Sequence, residues 1–400
     1  MKKISNGAVV YLFAVTYLVS YVTRINYGAV LVEMVNATGF SKTALSVALT
    51  GSFITYGIGQ IISGFFGDKA QPKRLVFWGL LTSVTINILI PFCSSPTAMA
   101  ALWSVNGLAQ AFMWPPMVRL MVSLFNDDEY RKASVKVSYG SSLGTIVVFL
   151  LSPLLISLWG WKSVFFVSAA FGVVMLVIWQ LLCPEINFSP EIPQKNTSAP
   201  IGNFKIDILF VLIMIGIVLQ GALRDGVTTW TPTYIDDMFN LGSALAILTS
   251  VVLPIFSMFC HGMGGWLYYK VFKSPVLSAG VIFGAGTLAA TALYLIGAKS
   301  AVISIICLAL LVGAMHGVNL IMVCYVAARY ARYGNVAFIS GLLNSCTYVG
   351  SALFAYGIAK LADSFDWKTT IFCWAIVAAC GVVCAFASVR SWGKFTKSDE

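Results

Sequence analysis

Three cations lie inside stretches that are otherwise apolar: Arg24 in YLVSYVTRINYGAV, Arg224 in GALRDGVTTW and Lys136 in SVKVSYGSSLG. A charge at bilayer depth is costly, so it faces a cavity or a partner rather than lipid. A guanidinium offers a planar fork of N–H donors that matches two oxygens of a phosphate, and two such forks aimed at one cavity would clamp an anion. The competing reading pairs each arginine with a carboxylate. Nearly all acids stand in loops or at helix ends, and only Asp225, beside Arg224, is within obvious reach. Arg24 and Arg224 therefore read as anion-binding cations, with an ion pair to Asp225 the alternative for Arg224. Lys136 lies near enough to the start of its helix to snorkel to the surface instead.

Other polar side chains share these regions. Tyr17 and Tyr21 precede Arg24 by seven and three residues and so lie on its helix face. Tyr56 and Gln60 form an i,i+4 pair in the second apolar run. His316, in AMHGVNLIM, reads either as a packing residue or as a ligand, and His261 reads as structural at a helix end. A cavity with surplus positive charge is unfavourable when empty. Asp225 apart, no buried carboxylate presents itself as a proton carrier, so exchange of one anion for another fits better than proton symport.

The elements that must position these groups are membrane helices. Hydrophobic residues make up 59% of the 400 and charged residues 10%, more apolar surface than a soluble core can use. A span takes about 20 apolar residues, and twelve runs are expected, at 8–32, 42–66, 75–93, 97–122, 134–158, 163–184, 207–226, 240–262, 274–297, 299–325, 335–360 and 367–391. The start, Met1-Lys2-Lys3 and an apolar run, lacks a small-residue cleavage site and reads as the first helix rather than a signal peptide. The polar, proline-rich stretch 185–206 reads as a linker between an N-terminal bundle, 1–184, and a C-terminal bundle, 207–400.

The net charge of +10 is scattered over many short loops, which argues against nucleic acid. Seventeen Lys and Arg fall in one set of loops and five in the alternate set, which places both termini and the linker in the cytoplasm. The nine cysteines stand singly with no C-x-x-C pair and read as packing residues, so no metal or cofactor is expected. A weak repeat, Gly64-Phe-Phe-Gly67-Asp68-Lys69 against Gly264-Gly265-Trp266-Leu267-Tyr268-Tyr269-Lys270, points to two related bundles. Arg24 and Arg224, in the first helix of each, are then expected to face each other across a central cavity. Glycines in the second and eleventh runs read as close-packing positions.

Several motifs resemble the organophosphate:phosphate antiporter family of the major facilitator superfamily. The most specific is NGLAQAFMWPPMVRLM, with Asn106, Gly107, Gln110, Trp114, Pro115, Pro116 and Arg119. LRDGVTTWTPTY, with Arg224, Gly226, Trp230, Pro232, Thr233 and Tyr234, is similar to the family's seventh helix, and YVTRINYG to its first. The resemblance covers nearly the whole chain. It implies an all-α membrane protein of twelve helices in two six-helix bundles with pseudo-two-fold symmetry. It also implies that Arg24 and Arg224 hold a phosphoryl group near Tyr17, Tyr21, Tyr56, Trp114 and Tyr348. Members exchange glycerol-3-phosphate, hexose-6-phosphate or phosphoglycerate for inorganic phosphate across the inner membrane, and monomers are usual. Departures are Gln60 where the family has lysine, Val137 where it has histidine with Lys136 next door, and His316 where glycerol-3-phosphate carriers have tyrosine. A rebuilt cavity admits another phosphoester, a phosphonate or a carboxylate. A transporter-like sensor of sugar phosphate is the rival from another class. No nucleophile–base constellation points to an enzyme.

Overall fold

The computed structural model describes residues 5–67, 70–185, 206–330 and 336–397. Most of the expected linker, together with Asp68 and Lys69 of the loop motif, lies outside the described residues. Every regular element is helical: α1 Asn6–Ala29, α2 Leu31–Thr38, α3 Lys42–Gly67, α4 Pro72–Leu89, α5 Pro96–Gln110, α6 Trp114–Leu124, α7 Asp127–Trp159 and α8 Lys162–Leu182, then α9 Ile208–Phe239, α10 Ser243–Thr249, α11 Val252–Trp266, α12 Pro275–Ile296, α13 Ala301–Asn319, α14 Val326–Arg329, α15 Val336–Ser364 and α16 Trp367–Lys397.

Eleven spans among the described residues are long and apolar enough to cross a bilayer. The expected span at 97–122 is instead two helices, α5 and α6, separated by turn residues 111–113. Trp114-Pro115-Pro116 accounts for the break, because proline supplies no N–H and its ring clashes with the carbonyl four residues back. Other boundaries move for local reasons. The first run breaks at Val30 and restarts as α2, which ends on Gly39 in the left-handed region. α7 begins at Asp127, seven residues before the expected 134, because Asn126 and Glu129 form a capping box. α9 runs on through Pro232 to Phe239, well past the expected 226. The expected loop after the eighth run is helical: α11 passes into a π-helix, Leu267–Phe272, where Tyr268 stacks on Tyr325 at 5.1 Å.

The chain forms two compact units, Met1–Ile192 with Leu241–Val251, and Pro193–Asn240 with Val252–Glu400. In the first unit α1 packs on α7, α3 on α5 and α4 on α8; in the second α9 packs on α15, α11 on α13 and α12 on α16. The same three pairings thus recur, which is the structural form of the weak sequence repeat. The short α10 belongs to the first unit, where it packs on α7 and Ser243 donates to Glu33.

Each unit has an apolar core with aromatic locks. Trp179 donates its indole N–H to the Lys73 carbonyl at 3.0 Å and packs on Phe13 in the first. In the second, Trp230 donates to the Ala355 carbonyl at 3.1 Å and the Tyr234 hydroxyl meets Ser304 at 3.0 Å. Both Trp230 and Tyr234 are fully buried, so this part of the α9 motif holds the fold rather than a ligand. Glycine sets the closest approach: a Cβ on Gly221 of α9 or on Gly350 of α15 would run into the backbone carbonyl of Thr347 or Val218. Gly341 and Gly357, also read as packing glycines, have nothing within 4 Å of such a Cβ.

Candidate functional site

In the first unit the side chains named around Arg24 come together. The Arg24 guanidinium carbon lies 4.1 Å from the Tyr56 ring centre and 5.2 Å from that of Tyr21, both within cation–π range. Tyr21 packs on Tyr17 at 5.2 Å, and Tyr17 on Trp114 at 5.0 Å. The face shared by residues 17, 21 and 24 of α1 thus meets α3 through Tyr56 and α6 through Trp114. Gln60, one turn beyond Tyr56, is buried and donates to the Ala111 carbonyl at 3.4 Å, so it also ties α3 to the α5–α6 break.

What fixes Arg24 in place is a buried polar network whose members sequence reading left unassigned or took only as motif. Asn87 and Asn106 donate to the Thr23 carbonyl at 2.9 and 3.1 Å. Gln110 donates to the Thr23 hydroxyl at 2.9 Å and to the Ser83 hydroxyl at 2.8 Å, and Ser83 donates to Asn106 at 2.6 Å. Asn26 donates to Asn87 at 2.7 Å and to Ser168 at 3.2 Å. Thr23, Asn26, Ser83, Asn87, Asn106 and Gln110 are all buried. With Thr23 and Asn26 anchored on either side of position 24, α1 is pinned to α4, α5 and α8. The signal available in sequence was polar amides inside apolar runs, but not which of them meet.

Lys136 is not gathered into this cluster. Its ammonium lies 5.6 Å from the Tyr11 ring, and Tyr11 is thirteen residues from Arg24 on α1, about 20 Å along the axis at 1.5 Å per residue.

In the second unit Arg224 is buried and forms a two-pronged ion pair with Asp225: Nε donates to Oδ1 at 2.7 Å and Nη2 to Oδ2 at 2.8 Å. Asp225 Oδ2 also accepts from the Ser351 hydroxyl at 2.7 Å. Ser351 reaches it because α9 and α15 approach closely at Gly221 and Gly350, and the same helix places the Tyr348 ring 5.9 Å from the Arg224 guanidinium carbon. The carboxylate alternative for Arg224 is thus realised in this conformation.

His316 faces His261 with ring centres 5.1 Å apart. His261 stands well inside α11 rather than at a helix end, and its Nδ1 lies 2.8 Å from the Ser257 carbonyl. A carbonyl only accepts, so Nδ1 is the donor in this contact. One turn beyond His316, Asn319 donates to Gln220 at 3.3 Å; the Gln220 amide nitrogen is buried and makes no hydrogen bond among the described residues. Among the described residues no group of three or more His, Cys, Asp or Glu could hold a metal ion.

Residues 13–355 match the Major Facilitator Superfamily. A glycerol-3-phosphate transporter of Bacillus subtilis is 27% identical over 87% of this chain and 84% of its own length. A probable hexose phosphate transport protein of Chlamydia trachomatis is 21% identical over 96% of this chain and 90% of its own. The membrane sensor protein UhpC of Salmonella typhimurium is 24% identical over 88% and 84%. In fold, the chain is similar to a crystal structure of a bacterial homologue of the human lysosomal transporter Spinster, with TM-score 0.80, 14% identity and 99% of each chain covered.

Proposed function

The chain belongs to the Major Facilitator Superfamily, and we propose that it is a secondary carrier that exchanges a phosphorylated or closely related anionic metabolite for inorganic phosphate across the inner membrane by rocker-switch alternating access. The observation that carries this reading is Arg24 over the rings of Tyr21 and Tyr56, on a helix pinned by buried hydrogen bonds. A fixed guanidinium at membrane depth has value for an anion whose charge must be matched without water.

Arg24 and Arg224 take the phosphoryl oxygens. Tyr17, Tyr21, Tyr56 and Trp114 wall the first arm, Gln60 substitutes a neutral amide where a charge is usual in related carriers, and Tyr348 and His316 line the second. Lys136 contributes attraction rather than contact. The names of the relatives, glycerol-3-phosphate and hexose phosphate transporters, support a phosphate ester as cargo. The recurrence of the same helix pairings in both units suits alternating access, and the loop charge bias supports cytoplasmic termini. The working unit is a monomer.

The test is counterflow in proteoliposomes loaded with unlabelled phosphate and given labelled phosphate outside, with glycerol-3-phosphate, hexose-6-phosphate, phosphonates and carboxylates as competitors. Uptake that depends on internal phosphate and yields to phosphate esters supports the reading. Competition by carboxylates alone moves the protein to organic-anion carriage. The relatives named as membrane sensors favour a second reading, in which the protein binds sugar phosphate and reports it; binding by purified protein with no counterflow would select it.

A further inference from the structure

We propose that Asp225 is a tethered counter-anion of Arg224 and an internal competitor in that arm of the site: it holds the guanidinium fork when no substrate does, and an incoming anion must displace it. This rests on the reading of Arg224 as a substrate contact. The carboxylate of Asp225 takes the Nε–Nη2 edge with both oxygens, at 2.7 and 2.8 Å, which is how a phosphate would take it. An incoming anion must either push the carboxylate off that edge or bind the remaining edge against its negative charge. Both routes make Asp225 a competitor inside the site.

A second group prepares the displacement. Ser351 has one hydroxyl proton and three acceptors in range: Asp225 Oδ2 at 2.7 Å, the Thr347 carbonyl at 2.9 Å and the Gly221 carbonyl at 3.2 Å. Its hydrogen bond to Asp225 keeps the carboxylate partly solvated from α15 when Arg224 is withdrawn. The chemical consequence is a standing cost: every anion that takes this fork, phosphoryl or carboxyl, must first displace the carboxylate, so its affinity falls by the fraction of time that Asp225 holds the fork.

The measurement is calorimetric binding to purified full-length protein, with inorganic phosphate, glycerol-3-phosphate and glycerate as probes, for wild type, Asp225→Asn, Arg224→Ala and the double variant. For a fork held by Asp225 about nine-tenths of the time, Asp225→Asn tightens phosphate binding about tenfold. Glycerate and glycerol-3-phosphate should gain by about the same factor, because the competitor is the same for each. The double variant should bind no better than Arg224→Ala. Asp225→Ser removes the same charge through a different side chain and should shift binding in the same direction, so the result does not hang on one variant's folding. Unchanged or weaker binding in both Asp225 variants, with Arg224→Ala still harmful, overturns the counter-anion while leaving the functional reading intact. A harmless Arg224→Ala instead removes Arg224 from the site, and with it this inference. Failure of every protein to bind either phosphate probe overturns the phosphate reading itself.

Discussion

The two intramembrane arginines occupy equivalent places in the repeat, on α1 and α9, yet their surroundings differ in kind. The Arg24 guanidinium carbon lies over two aromatic rings at 4.1 and 5.2 Å, while Arg224 grips a carboxylate at 2.7 and 2.8 Å. Ring faces orient a guanidinium without neutralising it, whereas a carboxylate does both. The difference lies in what orients each fork: rings from α1 and α3 for Arg24, and the carboxylate of the next residue for Arg224.

That comparison can be broken at several points. Arg24→Lys keeps the charge but loses the fork and the stacking, and phosphate counterflow should fall about 100-fold or more. Near-normal uptake would remove the clamp from the account. Tyr56→Ala should raise the apparent KM about tenfold, by loss of a partly buried cation–π contact, while Tyr56→Phe retains it and stays within about threefold of wild type; equal losses in both would show that the hydroxyl, not the ring, matters. Asn87→Ala leaves Thr23 and Asn26 each short of a partner and should cost about 1–3 kcal/mol of stability, visible as a lower melting temperature of the detergent-solubilised protein. Gly350→Ala should also destabilise, by about 1–3 kcal/mol of overpacking against α9, and with it loosen the contact that brings Ser351 to Asp225. Smallest of all, Lys136→Gln should change phosphate uptake about two- to threefold, and less at high salt, as expected of an exposed charge acting through its field.

The sequence carried the helices and the shared helix face of Tyr17, Tyr21 and Arg24 well, because apolar length and 3.6-residue spacing are local properties. Proline chemistry was also legible in principle, yet the Trp114-Pro115-Pro116 break that splits the fourth span was read as motif rather than as a stop. What stayed hidden depends on distant partners. Nothing local tells that Thr23 receives Asn87, Asn106 and Gln110, that His261 meets His316, or that the short α10 packs with the first unit. Asp225 lies between these cases. Its adjacency to Arg224 was plain, but adjacent helical residues diverge around the axis, so a two-pronged contact between them needed the structure, and Ser351 of α15, to be seen.

The most direct test of the central claim compares Arg24→Ala and Arg224→Ala with wild type in proteoliposomes loaded with phosphate and given labelled phosphate outside. If two fixed guanidiniums hold the phosphoryl group, wild type takes up label and both variants, extracted and folded like wild type, do not. Uptake surviving in Arg24→Ala would contradict the account at its root, because the anion would then be held somewhere other than the stacked arginine of α1.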